Sequence, residues 1–164
     1  MSTTMDNEYG PVPIPDYESL YERSVDAVLS YLECPYEANV NLLLTDDERI
    51  LVINKETRNL PVATDVLSFP MSEYESPGSF EPLSNIPDAF DPDTGELLLG
   101  DIVLSIDHVV QNAREYGHSV QREYAFLIVH SMLHLTGFDH IEEHDRILME
   151  EAQDRIMERL GIGR

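Results

Sequence analysis

Residues 119–140 read SVQREYAFLIVHSMLHLTGFDH. Ser119 is a typical N-cap residue, and the mostly apolar run after it predicts a long helix with little exposed surface. Gly137 predicts where this helix stops, because glycine adopts the left-handed conformation that ends many helices. A helix with so much apolar surface needs other elements packed around it. The segment therefore predicts a central helix within a core.

The rest of the chain alternates helical and strand patterns around this helix. Thr45-Asp46-Asp47-Glu48 matches a capping box, Asp16 and Asp107 are candidate N-caps, and Gly117 is a natural C-cap. Further helices are predicted at about 16–32, from the capping box to 57, at 107–116 and at 142–160, and strands at 40–44, 66–69 and 97–106. This order predicts an α/β (α+β) fold: a single domain with a small mixed β-sheet of about four strands and packed helices.

Two segments lack such periodicity. Residues 1–15 are acidic and contain three prolines, which predicts a mobile N-terminal tail. Residues 71–97 contain four prolines and seven acidic residues without Lys or Arg, which predicts a long acidic loop inserted on the surface as a mobile segment. Residues 16–164 then form the single domain that carries any catalytic site.

The composition excludes several classes of protein. Apolar residues make up 42% and charged residues 26% of the 164 positions, which is typical of a globular domain, and no run approaches about 18 apolar residues. The absence of a secretory signal pattern and the single cysteine, Cys34, point to the cytoplasm. Ten basic and 32 acidic residues give a net charge of −22, which opposes non-specific binding to a polyanion. Any nucleic acid must therefore be recognised at a local site.

Three histidines are concentrated at the end of the central helix. His130 and His134 are four residues apart and share one helix face, and the turn at Gly137 brings His140 in from a third direction. The alternative is that they are ordinary histidines of a helix and a turn, but three imidazoles among apolar residues are costly unless something satisfies them. We therefore predict a three-histidine metal site with an open fourth position, which is the catalytic pattern of zinc sites. The other histidines, His108, His118 and His144, are predicted to be structural or solvent-facing.

The spacing HxxxHxxGxxH also occurs in metzincin peptidases, whose motif is HExxHxxGxxH. In those enzymes the glutamate is the general base. This chain has Ser131 at that position, and a serine cannot accept the proton near neutral pH. The spacing therefore supports a metal site, but the chain lacks the general base that a metzincin peptidase needs.

Four blocks of the sequence form a further pattern: NKETR at 54–58, TDVLSFP at 64–70, GDI at 100–102 and HSMLHLTGFDH at 130–140. Together these blocks resemble the YbeY family of bacterial endoribonucleases and rRNA maturation factors. Ser131 occupies the position at which this family commonly has glycine, the acidic insertion after Pro70 is longer than usual, and the charge of −22 is unusual for the family.

The resemblance implies a zinc-dependent, single-strand-specific endoribonuclease that acts in 16S rRNA 3′-end maturation and ribosome quality control. It implies one Zn²⁺ per chain, held by His130, His134 and His140, and a functionally important arginine at Arg58. The implied partners are the 16S rRNA precursor, the small ribosomal subunit and its assembly proteins, with no membrane. His130 and Arg58 are the candidate catalytic residues.

Roles for the neighbouring residues are hypotheses at this point. Arg58 is predicted to clamp a phosphate as a planar bidentate donor, or else to pair with nearby Glu56. Asp139 either orients a ligand imidazole or stabilises a turn through its side chain. The remaining candidates are Ser68 and Thr64, predicted to line the cleft, and Asp101, predicted to be structural.

Three functions remain as alternatives. The first is RNA hydrolysis, the second is a metal-containing ribosome-assembly factor that binds with little or no nuclease activity, and the third is a metzincin-like peptidase. The acidic run at 142–158 is predicted to be a solvated helix face, or else a docking surface for basic ribosomal proteins.

Overall fold

A mixed sheet of four strands lies at the centre of the structure, a computed structural model that describes residues 1–162. The strands are β1 (Ser2–Asn7), β2 (Ala38–Thr45), β3 (Val66–Pro70) and β4 (Leu97–Ser105), in the spatial order β1-β2-β4-β3. β1, β2 and β4 run parallel, and β3 pairs antiparallel with β4. The predicted small mixed sheet is confirmed.

Five α-helices surround this sheet in the described part of the chain. They are α1 (Tyr17–Tyr31), α2 (Asp47–Arg58), α3 (Ile106–Tyr116), α4 (Val120–Leu135) and α5 (Glu143–Leu160). α1 and α4 pack together on one face of the sheet, with α3 and α5 against α4, while α2 covers part of the other face. The arrangement is a single α+β domain, as predicted. No helix in residues 1–162 combines the length and hydropathy that crossing a membrane requires.

Helix α4 is the central helix of the core. Ten of its sixteen residues are buried, so its apolar pattern reflects contacts on nearly every side. Its first turn is capped by Ser119, whose hydroxyl accepts a hydrogen bond from the Arg122 backbone N–H at 3.1 Å, as predicted. At the other end, the Thr136 hydroxyl donates to the Met132 carbonyl at 3.0 Å.

One predicted N-cap stands at the expected position without a capping hydrogen bond, and the other is wrong. Asp16 precedes α1 in the left-handed conformation (φ 53°) and makes no side-chain cap hydrogen bond. Helix α3 is capped by Ser105, whose hydroxyl accepts from the His108 N–H at 3.3 Å. Asp107 lies inside that helix and accepts hydrogen bonds from the Tyr9 hydroxyl at 2.8 Å and from the N–H at the start of α2 at 3.0 Å. Its carboxylate thus ties three segments together instead of closing one helix end.

The prediction of a mobile N-terminal tail is wrong for residues 2–7. These residues form β1, which pairs in parallel with Asn39–Leu44 of β2. Polar residues suffice here because β1 is an edge strand, held by backbone hydrogen bonds on one side with much of its side-chain surface exposed.

Residues 71–97 are not a surface insertion throughout. Phe80, Leu83 and Ala89 are buried in the main core, and two short 3₁₀ turns, Glu81–Asn85 and Pro87–Ala89, organise the segment between them. The prolines that obscure any helical or strand period fit these 3₁₀ turns, in which proline stands in the first positions.

Candidate metal centre

His130 and His134 lie one above the other on the last turns of α4. Their ring centroids are 4.7 Å apart, and the two Nε2 atoms approach to 3.2 Å. The spacing of four residues along a helix produces this convergence. Both rings are partly buried, so the helix presents two imidazole nitrogens to one point in a cavity.

The turn after α4 brings in His140. Gly137 has φ +100°, and a Cβ at this position would lie 2.7 Å from the Cβ of Tyr74, so only glycine fits. The His140 ring centroid lies 5.6 Å from that of His130 and 5.1 Å from that of His134. One nitrogen of each ring falls within 4.8 Å of the others. The structure therefore brings the three predicted ligands together.

Hydrogen bonds orient two of the rings. The Nδ1–H of His134 donates to the Phe138 carbonyl oxygen at 3.0 Å, because a carbonyl oxygen only accepts, and this tautomer leaves the Nε2 lone pair free. The side chain of Gln153, which is 5% exposed on α5, hydrogen-bonds to His130. Such outer partners fix ring orientation in metal sites.

Burial keeps two of the rings neutral. It lowers the pKa of His134 to about 4, and the neighbouring His130 and His140 lower it further. Burial likewise lowers the pKa of His130, against a smaller opposing effect of the hydrogen bond with Gln153. A neutral imidazole is the form that binds a metal, so the environment favours ligation over protonation.

The same shift predicts how the metal-free protein responds to acid. The unfolded chain protonates His134 near pH 6.5, whereas the folded chain resists until about pH 4. Acidification through this window therefore destabilises the fold, by on the order of 2 kcal/mol after allowance for partial exposure. Urea denaturation of chelator-treated protein at about pH 7.0 and about pH 4.5, near the two edges of this window, measures the loss in the free energy of unfolding. This loss should be smaller in His134→Gln than in the wild type.

The exposed His144 supplies the matched control for this measurement. His144→Gln should leave the pH dependence of the wild type unchanged, because its side chain lies in solvent on α5. Equal pH dependence in the wild type and in His134→Gln would contradict the assignment of the effect to the buried ring.

The three histidines open into a cavity of about 420 Å³. Arg58, the last residue of α2, lines the same cavity and supplies the positively charged side chain among its lining residues. Within residues 1–162 Arg58 forms no ion pair, so the alternative pairing with Glu56 is not present. The other lining residues include the predicted Thr64 and Ser68, together with Asp65, Val66, Leu67 and Pro70.

Ser131 contributes to the wall behind the site. It is fully buried, and its hydroxyl lies 2.5 Å from that of Ser68 on β3, which joins the strand to α4 beneath the histidines. A small hydroxyl in this position holds two elements together, and it does not face the cavity as a general base.

The remaining candidates lie outside the cavity. Asp139 accepts a hydrogen bond from the Ile141 backbone N–H at 3.2 Å, which is the turn contact of the two alternatives. Asp101 is exposed on β4 and accepts from the Asn41 amide at 2.9 Å, in a structural role. His108 pairs with Asp47 at the start of α2.

The residues present fit a bound metal ion. Three imidazoles converge, two of them with buried neutral rings whose orientation is fixed by hydrogen bonds, and the His140 side is open to solvent. Three protein ligands beside an open cavity is the donor set of catalytic zinc sites, in contrast to the closed four-ligand structural sites.

Two residues of the site were missed by the sequence analysis. Gln153 lies 23 positions after His130 on an acidic helix, and no local pattern marks a buried glutamine there. Asp65 stands in the TDVLSFP block, and its carboxylate acts on His130 electrostatically. The signal in the sequence was that Asp65 comes directly before the strand that carries Ser68, which was predicted to line the cleft.

Comparison with known proteins assigns the chain to a family. The family profile described as "Endoribonuclease YbeY" matches residues 3–161. This chain belongs to the YbeY family. The YbeY endoribonuclease of Agathobacter rectalis is 56% identical over 150 residues, which cover 91% of each chain. The YbeY endoribonuclease of Lachnoclostridium phytofermentans is 51% identical over 148 residues, which cover 90% of each chain.

The same fold occurs in a solved structure. The solution structure of TM1509 from Thermotoga maritima has a TM-score of 0.59 at 24% identity, covering 96% of this chain and 87% of that one. This likeness concerns the fold alone. Membership of the YbeY family classes the chain with endoribonucleases, which are hydrolases that act on RNA, and it sets the peptidase alternative aside.

Proposed function

We propose that this YbeY protein is a zinc-dependent, single-strand-specific endoribonuclease that acts in late 16S rRNA 3′-end maturation and ribosome quality control. The observation that carries the proposal is the convergence of His130, His134 and His140 in a cavity that Arg58 also lines. His130 and Arg58 are the proposed catalytic residues, and the cytoplasm is the proposed location.

The three histidines would hold one Zn²⁺ per chain. When bound, the ion supplies Lewis-acid polarisation of a phosphoryl oxygen and lowers the pKa of water toward about 7. The chain itself supplies ring orientation, through Phe138 and Gln153, and a partly buried wall that limits water around the reacting groups.

Arg58 positions the phosphate. Its guanidinium offers two parallel N–H donors to a phosphodiester, and it carries the positive charge of a cavity that otherwise holds the carboxylate of Asp65. Thr64 and Ser68 line the same cavity, and we propose that they border the path of the sugar-phosphate backbone. Asp139 is proposed to hold the turn that carries His140.

The size of the cavity and the charge of the chain support single-stranded RNA as the substrate. A cavity of about 420 Å³ takes one nucleotide unit, whereas a duplex presents its phosphates on the outside of a broad cylinder. A chain with a net charge of −22 repels a polyanion everywhere except at such a local site.

The proposed partners follow from the same charge. Acidic residues on the exposed face of α5, among them Glu150, Glu151 and Asp154, attract basic proteins, and the assembling small ribosomal subunit offers many of these. This face also supports the second candidate function, a metal-containing assembly factor that binds with little or no cleavage.

One experiment separates the candidates. Purified protein, with and without chelator, is offered a 3′-extended 16S rRNA precursor, the same RNA annealed to a complementary strand, and small ribosomal subunits. Chelator-sensitive cleavage of the single-stranded RNA alone supports the endoribonuclease. Binding to subunits without cleavage of either RNA supports the assembly factor.

Arg58 provides a sharper test of the proposed mechanism. Arg58→Ala should lower kcat/KM for RNA cleavage by about 10²-fold with metal content unchanged, and Arg58→Lys should recover only part of it because an ammonium cannot make the bidentate contact. The measurements are steady-state cleavage of a fluorescent single-stranded RNA and elemental analysis.

Lys55→Ala is the matched control, because Lys55 is an exposed cation on the same helix and lies outside the cavity. Equal losses in Lys55→Ala and Arg58→Ala would reduce Arg58 to a contribution to overall charge.

A further inference from the structure

A second cavity, of about 500 Å³, adjoins the metal centre. The two cavities share Asp65, and the Phe126 ring in the second stacks over His130 of the first with 6.5 Å between centroids. A strand of RNA held at the metal centre would therefore have this cavity next to its reacting phosphate. It is lined by Asp65, Asn112, Tyr116, His118, Arg122, Glu123, Phe126 and Leu127.

The inner wall of this second cavity is rich in hydrogen-bond acceptors. Glu123 is only 4% exposed, and the Asn112 amide Nδ2 reaches its Oε2 at 3.4 Å and the Asp65 Oδ2 at 3.5 Å. The same amide thus serves both carboxylates, and the Oδ1 atom of Asp65 also accepts from the Val66 backbone N–H at 2.8 Å. Burial raises the pKa of Glu123 and the nearby Asp65 adds to the rise, against smaller opposing effects of the Asn112 hydrogen bond and of the Arg122 charge. A ligand that brings N–H donors would satisfy this wall.

The rim of the cavity offers flat surfaces and one cation. Tyr116 is 63% exposed and Phe126 is half-buried. Arg122 also lines the cavity and is held in place because its Nη1 donates to the Ile162 carbonyl at 2.8 Å; its guanidinium has further N–H donors to offer. Aromatic rings beside a hydrogen-bonding wall are the arrangement by which proteins hold unstacked RNA bases.

We propose that the second cavity is a guanine-binding subsite for the nucleotide beside the cleaved phosphodiester. Guanine carries an acceptor, O6, next to N–H donors on its Watson–Crick edge, so Arg122 donates to O6 while the Glu123 and Asp65 carboxylates accept from the N–H groups. Uracil has a single N–H on this edge, between two carbonyls, so it would serve one carboxylate and turn a carbonyl oxygen toward the other. This inference rests on the proposed endoribonuclease function and adds base preference to it.

The charge of the chain supports recognition of this kind. Proteins that bind RNA through phosphates need many cations, and this chain has ten against 32 acidic residues. Stacking and edge hydrogen bonds do not depend on positive charge in the same way. Carboxylates can accept hydrogen bonds from the N–H edge of a base, and acidic residues are the abundant charged type in this chain.

Binding of mononucleotides tests the subsite without cleavage. GMP and UMP carry the same phosphate, so the ratio of their Kd values, measured by equilibrium dialysis, reports on the base alone. GMP should bind at least about tenfold more tightly than UMP, and Glu123→Gln should reduce this ratio to within about twofold. Tyr116→Ala should weaken GMP binding by at least about fivefold through lost stacking.

The variants are chosen so that folding does not decide the result. Glu123→Gln preserves shape and the acceptor for Asn112, and Glu18→Gln, which removes an exposed carboxylate from α1, is the matched control that should keep the wild-type ratio. Tyr116 is mostly exposed, so Tyr116→Ala reports on the rim if Glu123→Gln does not fold. Equal Kd values for GMP and UMP, a ratio unaffected by Glu123→Gln, or a Kd for GMP unaffected by Tyr116→Ala would overturn the proposal.

Cleavage assays keep this outcome separate from the proposed function. Single-stranded oligonucleotides with one guanosine in a uridine tract should be cut beside the guanosine by the wild type and at scattered positions by Glu123→Gln. Cleavage without base preference would contradict the guanine subsite and would leave the proposed nuclease function unaffected. Absence of cleavage from every oligonucleotide would instead count against the nuclease, while the GMP measurement still decides the subsite.

Discussion

A His134→Ala variant is expected to lose its metal and to cleave RNA at least about 10³-fold more slowly than the wild type, while remaining folded. His134 is the middle ligand: its Nε2 lies 3.2 Å from that of His130, and its Nδ1 is fixed by the Phe138 carbonyl. Removing it leaves two imidazoles, one fewer than the catalytic donor set requires. Metal content after dialysis and cleavage of single-stranded RNA are the two measurements.

His144→Ala controls for the loss of a histidine as such. It removes an exposed ring from the start of α5 and should leave both metal content and cleavage unchanged. Cleavage by metal-free His134→Ala within about tenfold of the wild-type rate would show that the histidine cluster does not carry the chemistry.

The second large effect is expected in the sheet. Gly100 has φ +134°, and an added Cβ would lie 2.1 Å from the Phe69 carbonyl oxygen on the paired strand β3. The contact is backbone to Cβ, so no side-chain rotation relieves it. Gly100→Ala should lower the free energy of unfolding by about 3–4 kcal/mol, because the two strands must separate where Gly100 faces Pro70. Urea denaturation followed by circular dichroism measures the change.

Gly95→Ala is the matched control. Gly95 also has positive φ, at +75°, but its added Cβ meets nothing within 4 Å. Gly95→Ala should lower the free energy of unfolding by about 1–2 kcal/mol, which is the cost of the left-handed conformation alone. Similar losses at the two glycines would mean that the strand contact is relieved by small movements of β3.

The sequence predicted the part of the site that depends on local geometry. Residues four apart on a helix share a face whatever surrounds them, and a glycine turn reverses the chain within a few residues. The convergence of His130, His134 and His140 therefore followed from spacing. Gln153 did not, because it reaches His130 only through the packing of α5 against α4. That packing is set by the whole core.

The parts of the fold that were missed depend on non-local contacts in the same way. β1 is a strand because the backbone of β2 lies beside it, and its polar residues carry no strand period of their own. Phe80 and Leu83 are buried because the core leaves room for them, although the prolines around them hide any pattern. In both cases tertiary pairing overrides local sequence preference.

Helix α4 carries both the interior of the molecule and two of the proposed ligands. A substitution in these few turns therefore affects both the stability of the fold and the proposed metal site. The surroundings of Arg58 and the rim at Tyr116 are exposed, so substitutions there cost little packing. Substitutions in the proposed RNA-binding rim should therefore disturb the fold less than substitutions of the proposed metal ligands.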